Sequence, residues 1–130
     1  MKRMEIYFYT TMITIIASAI TIYIIKKKIQ QLKKKRYEET WNRIETTNRI
    51  VCITRDNAYI DSRGYLRWKK TGSLCHRDIA RKYCDNRSGR PFYRCDVHHK
   101  DRDKMNNMPS NLEILDRGTH KHRHEHHVYR

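Results

Sequence analysis

Residues Ile6 to Ile25, IYFYTTMITIIASAITIYII, run for twenty residues without a charge. A helix of that length is about 30 Å long, the thickness of a bilayer's hydrocarbon core. In lipid every backbone N–H and C=O must be satisfied within the segment, so a lone span of this kind is restricted to a helix. Its Thr and Ser hydroxyls can close onto the helix's own carbonyls and do not oppose insertion. Tyr7, Tyr9 and Tyr23 lie near the two ends, where amphipathic rings prefer to sit. A cleaved leader would use Lys2 and Arg3 ahead of an Ala17-Ser18-Ala19 site, but the apolar run continues through Ile25. A helix buried in a soluble core would show a polar face. The expectation is a single transmembrane helix over 6–25, after a short flank at 1–5.

The run KKKIQQLKKKR, Lys26 to Arg36, follows at once and outweighs Lys2 and Arg3. The positive-inside rule then puts the C-terminal side in the cytoplasm, with the basic run against anionic lipid headgroups. Residues 26–49 read as a basic juxtamembrane stalk and linker. That leaves about 80 residues, 50–130, for a folded domain, a size at which one core is marginal and a bound metal often helps. Against 14 acidic residues stand 29 Lys and Arg, for a formal net charge of +15. Such a field points to polyanionic partners, nucleic acid or a membrane face.

Cys52, Cys75, Cys84 and Cys95 form no C-x-x-C pair, so neither a zinc ribbon nor a redox motif is indicated. Buried reduced thiols are the simplest reading, and a Cys84–Cys95 bridge stays open. Between 50 and 70, IVCIT, AYI and YLRW have strand texture, with a turn at Asp61 to Gly64. Ser73 can cap a helix from about Leu74 to Tyr83, with Leu74, Ile79 and Tyr83 as core candidates. A loop runs through Asn86 to Pro91.

The most informative stretch is RCDVHHKDRDKMNNMPSNLEILDRGTHKHRHEHH, Arg94 to His127. Val97 precedes a His98-His99 pair, a polar loop follows, and Asn111 to Leu115 reads as a short strand. Gly118-Thr119 can cap a last helix on which His120 and His124, four apart, share one face. With GYLRWKKTG…CHRDIARK upstream, this stretch resembles the HNH endonuclease family, its homing-endonuclease-like and phage-type members, over roughly residues 57 to 127. The resemblance implies an α+β fold with a small ββα-metal domain. It implies that His99 is the general base and Asn111 the loop-holding, base-orienting asparagine. It implies that His98, His120 and His124 are metal ligands, with Asn107 a weaker candidate for orienting the base.

Phosphodiester hydrolysis needs a proton acceptor for water, which a neutral imidazole titrating near neutrality provides. It also needs positive charge at the phosphate and the departing oxygen, which one divalent ion supplies. Three imidazoles favour Zn²⁺ over Mg²⁺, although relatives with oxygen ligands keep Mg²⁺ or Mn²⁺ in play. Arg67, Lys69, Lys70, Lys100, Arg102 and Lys104 would meet DNA phosphates without reading sequence. The expectation is a membrane-anchored, metal-dependent DNA endonuclease of low sequence specificity, with no small-molecule substrate. The alternatives are a nucleic-acid-binding module without catalysis, or an anchored metal-binding protein whose His-rich tail is the working part.

Overall fold

The structure, a computed structural model, describes residues 2–125, and side chains over 3–123. It is mixed helix and strand. One long helix, α1 (Lys2–Thr47), is followed by β1 (Ala58–Ile60), β2 (Leu66–Trp68), α2 (Cys75–Tyr83), β3 (Cys95–His99), β4 (Leu112–Asp116) and α3 (Arg117–Glu125). The chain divides into two units, residues 1–40 and Trp41–Arg130.

In the first unit the helix is uninterrupted because neither Gly nor Pro occurs before Gly64. It is long and apolar enough to cross a membrane, and its apolar window has no buried share. Thr10, Thr11, Thr14 and Ser18 donate to carbonyls three residues back, and Thr21 to the carbonyl of Ala17. The hydroxyls are thus satisfied inside the helix, as expected from the sequence.

The second unit begins at Trp41 rather than at residue 50. The stretch expected to be linker carries core residues: Trp41 and Ile44 are 2% and 1% exposed. They join Ile53, Ala58, Leu66, Cys75, Ile79, Ala80, Cys95, Val97, Leu112 and Ile114 in one cluster. Asn48 stops the helix. Its backbone N–H and its side-chain Nδ2 both donate to Ile44 O, at 2.9 Å each, and a 3-10 turn at Arg49–Val51 follows. IVCIT is therefore not a strand, for all its β-branched content.

β1 and β2 pair antiparallel, with Ile60 opposite Leu66, across a turn closed by Gly64 N to Asp61 O at 3.0 Å. Gly64 there takes φ +80, a conformation other residues resist. α2 buries Cys75, His76, Ile79 and Ala80, whereas Tyr83, expected in the core, is 56% exposed. Ser73 does not cap α2; its hydroxyl reaches Asp78 instead. All four cysteines are free, which closes the question of a Cys84–Cys95 bridge.

β3 and β4 form the second antiparallel pair, with Cys95 opposite Asp116, His98 opposite Glu113 and His99 opposite Leu112. β4 passes straight into α3, whose first turn is capped by Asp116. That carboxylate accepts from the Gly118 and Thr119 amides at 3.0 and 3.1 Å, and from the Thr119 hydroxyl. Gly118-Thr119 therefore receives the cap rather than making it.

Candidate active site on the β3–β4 hairpin and α3

Side chains alternate along a strand, so β3 sends Cys95, Val97 and His99 to one face and Asp96 and His98 to the other. Cys95 and Val97 join the core on the α2 side. The two histidines of the pair, 7% and 6% exposed, leave the strand on opposite faces. Each has its own surroundings.

His98 meets α3. Its ring lies 5.5 Å from that of His120, inclined 74°. Two imidazoles bound tetrahedrally to one ion through bonds of about 2.1 Å have ring centres about 5 Å apart, so this spacing suits a shared ion. His120 Nδ1 is 3.3 Å from Asp96 Oδ2. A carboxylate on one ring nitrogen fixes the orientation of the ring, as in carboxylate–histidine–metal triads. Glu113, across from His98 and on the same face, sits 3.5 Å from Arg123. Asp96 went unremarked in the sequence, yet its position two residues before His98 on a strand puts it on this face. The side chain of His124 lies outside the described residues. Among the described residues, no three His, Cys, Asp or Glu side chains converge tightly enough to hold an ion.

His99 faces the other way. Its Nε2 lies 3.0 Å from Asn107 Oδ1, a contact that an amide oxygen as acceptor pairs with the Nε2–H tautomer. The ring of His76 lies 5.1 Å away and that of Tyr65 6.3 Å away. Of the two asparagines expected to orient His99, it is Asn107 that contacts its ring.

Asn111 is the clasp of the 100–111 loop. Its Nδ2 donates to Asp101 Oδ1 at 2.8 Å and to Asn106 O at 2.9 Å, while its Oδ1 accepts from the Asp101 amide at 3.1 Å. Burial pushes the Asp101 carboxyl up, but the hydrogen bonds from Asn106, Asn111 and the Asp103 amide outweigh it and leave the group below its usual value. Arg102 sits in the left-handed region, φ +64, where its amide turns back to His99 O at 3.0 Å.

The loop is also held from α1. Asn48, fully buried, accepts from the Asn107 amide at 2.7 Å and donates to Met105 O at 2.7 Å. Arg43 reaches Asp103 at 2.7 Å. A chain of contacts therefore runs from Asn48 through Asn107 to His99. Nothing local in the sequence marked Asn48, because the partner segment is 59 residues away.

Most of the basic residues expected to meet DNA are tied into the fold. Arg67 bonds Asp61 Oδ2 and Gly72 O, Lys69 bonds Arg55 O, Lys100 bonds Ser110 O and Lys104 bonds Arg63 O, at 2.7–3.1 Å. Arg102 and Lys70 are exposed. Arg90, Arg94 and Arg117, which no local motif marks, line an open hollow of about 340 Å³ with Asp116 and Gly118. Asp116, the carboxylate among the described lining residues, is hydrogen-bonded to the first turn of α3.

No known protein family matches the chain, and neither does any curated protein or solved structure.

Proposed function

We propose that the chain is a membrane-anchored, metal-dependent endonuclease of the HNH type, acting on DNA phosphodiesters. The observation that carries the reading is the pair of histidine environments on adjacent residues of one hairpin. His98 is paired with a carboxylate-oriented His120; His99 has Nε2 on Asn107 Oδ1.

In this reading His99 Nδ1 takes the proton of the attacking water, and Asn107 holds the ring in the tautomer that can do so. His98 and His120, with His124 one turn on, would hold a divalent ion, and Asp96 would orient His120. Such an ion, when bound, supplies positive charge to the phosphate and the departing oxygen; imidazole donors favour Zn²⁺. Arg94 and Arg117 flank this face in sequence and, with Arg90 and Arg102, would contact neighbouring phosphates in a salt-dependent manner. The apolar helix and the lysines at 26–36 would anchor the chain with its second unit in the cytoplasm.

The test is plasmid nicking by the purified full chain in detergent, with Zn²⁺, Mn²⁺, Mg²⁺ or Ni²⁺ added in turn. Nicking that His99→Ala abolishes while metal stays bound supports the assignment. Plasmid left intact with every metal overturns it. A second reading, nucleic-acid binding without cleavage, is favoured by one observation: His98 and His99 point to opposite faces and both are nearly buried. It predicts plasmid retention at low salt with no nicks.

A further inference from the structure

His76 has no part in the chemistry above, yet it is among the most enclosed polar groups in the chain. It projects from the first turn of α2 and is 5% exposed. Its ring lies edge-on to His99, centroids 5.1 Å apart and planes inclined 66°. Its other neighbour is the Tyr65 ring, 5.2 Å away, which in turn lies under Lys104 Nζ at 4.5 Å. Among the described residues His76 Nδ1, which is buried, has no hydrogen-bond partner.

Packing alone does not account for an imidazole here. A phenyl ring of similar volume would fill the same space without stranding a polar nitrogen, and removing such an orphan by an apolar group of like shape is neutral or stabilising. What an imidazole offers beyond volume is a polar ring edge against another imidazole. His99 has one hydrogen bond to define its ring, to Asn107, and a flip of the ring exchanges the nitrogen presented there for a carbon. The ring of His76 is set edge-on beside it at 5.1 Å.

We propose that His76 is a positioning residue for His99, fixing the ring rotation that keeps Nε2 on Asn107 and leaves Nδ1 as the proton acceptor. The proposal rests on the reading of His99 as the base. Burial, then the neighbouring His99, Arg77 and Arg67, push His76 down to about 3, so it stands beside His99 as a neutral ring and adds no repulsion when His99 takes a proton.

The experiment uses the full chain in detergent micelles with ¹⁵N-labelled imidazoles, comparing wild type, His76→Phe, His76→Gln and Asn107→Ala. In wild type the His99 resonances report the Nε2–H tautomer. Both His76 variants are expected to give a mixture of tautomers, as does Asn107→Ala, the control for a released ring. With DNA, His76→Phe is expected to lower kcat at least tenfold while leaving DNA affinity and the unfolding midpoint unchanged or higher. Gln is the second variant should Phe fail to fold. A His99 spectrum identical to wild type in whichever variant folds overturns the proposal. If wild type nicks no DNA, the catalytic reading fails alone, because the tautomer comparison still decides the role of His76.

Discussion

Replacing Asn48 by Ala removes the contact that ties the end of α1 to the loop that holds His99. Its side chain makes three hydrogen bonds, to Ile44 O, Met105 O and the Asn107 amide, at 2.9, 2.7 and 2.7 Å. The first is expendable, since Ile44 O keeps the backbone bond from Asn48 N. The other two have no substitute. The Asn107 amide is fully buried and would be left unsatisfied at a cost of about 1–3 kcal/mol. The Met105 carbonyl is only half-buried and can recruit water, so its loss is smaller, about 1 kcal/mol. The sum, about 2–4 kcal/mol, is a large fraction of a small domain's total of about 5–15 kcal/mol. It corresponds to a midpoint shift on the order of 10 °C for a unit of this size. Trp41 is buried in the same core, so its fluorescence during urea unfolding of the full chain in detergent reports the transition directly. Asn48→Asp keeps the acceptor toward Asn107 but sets a carboxylate against two carbonyls, and is expected to fare no better. A loss below about 0.5 kcal/mol in Asn48→Ala, the range of an indifferent surface change, refutes the reasoning.

Four further outcomes follow from the same geometry. His76 is neutral in the fold and held down to about 3 from an ordinary 6.5, so the unfolded chain binds the extra proton between those values. Stability should therefore fall as pH drops from about 6.5 toward about 3, and His76→Phe should flatten that slope in acid-unfolding curves. The depressed Asp101 carboxyl has the opposite origin but the same acid limit: its clasp with Asn111 is present above the ordinary carboxylate range and lost as pH falls through the folded value. Asn111→Ala should mimic that loss at neutral pH, seen as faster amide exchange over 101–106. Asp116→Ala should fray the first turn of α3 without changing the register of β3 and β4, and, if the proposed metal site at His98 and His120 is real, weaken Zn²⁺ or Co²⁺ binding in a titration. Cys52 is exposed while Cys75 and Cys95 are buried, and burial pushes the Cys75 thiol up to about 12. A maleimide should therefore label Cys52 first and reach Cys75 only on unfolding; fast labelling of Cys75 in the native state would contradict the packing of α2.

Much of the local structure was legible because its causes are local. The uncharged run and the self-satisfying hydroxyls predict a helix over 6–25 without reference to the rest of the chain, and with no Gly or Pro to stop it the helix runs on to Thr47. The Asp61–Gly64 turn, α2 and the strand at Leu112 were likewise found to within a residue or two, since turn chemistry and periodicity act over a few positions. The misses share one cause. IVCIT has strand composition, but Asn48 and the left-handed Cys52 (φ +54) force a 3-10 turn there. Tyr83 has a core residue's chemistry, but the buried stripe of α2 runs through Cys75, His76, Ile79 and Ala80.

For the site, the sequence alone determined which residue types lie together on the hairpin and α3: an adjacent His pair, asparagines in the following loop, and a histidine one turn into the last helix. Only the tertiary structure decided their partners. Strand alternation separated His98 from His99, so that one meets His120 and Asp96 and the other Asn107 and His76. Asn48, the residue that steadies that loop, is held to it by hydrogen bonds whose two ends are nearly 60 positions apart. A hydrogen bond is satisfied by proximity in space, which local pattern does not encode.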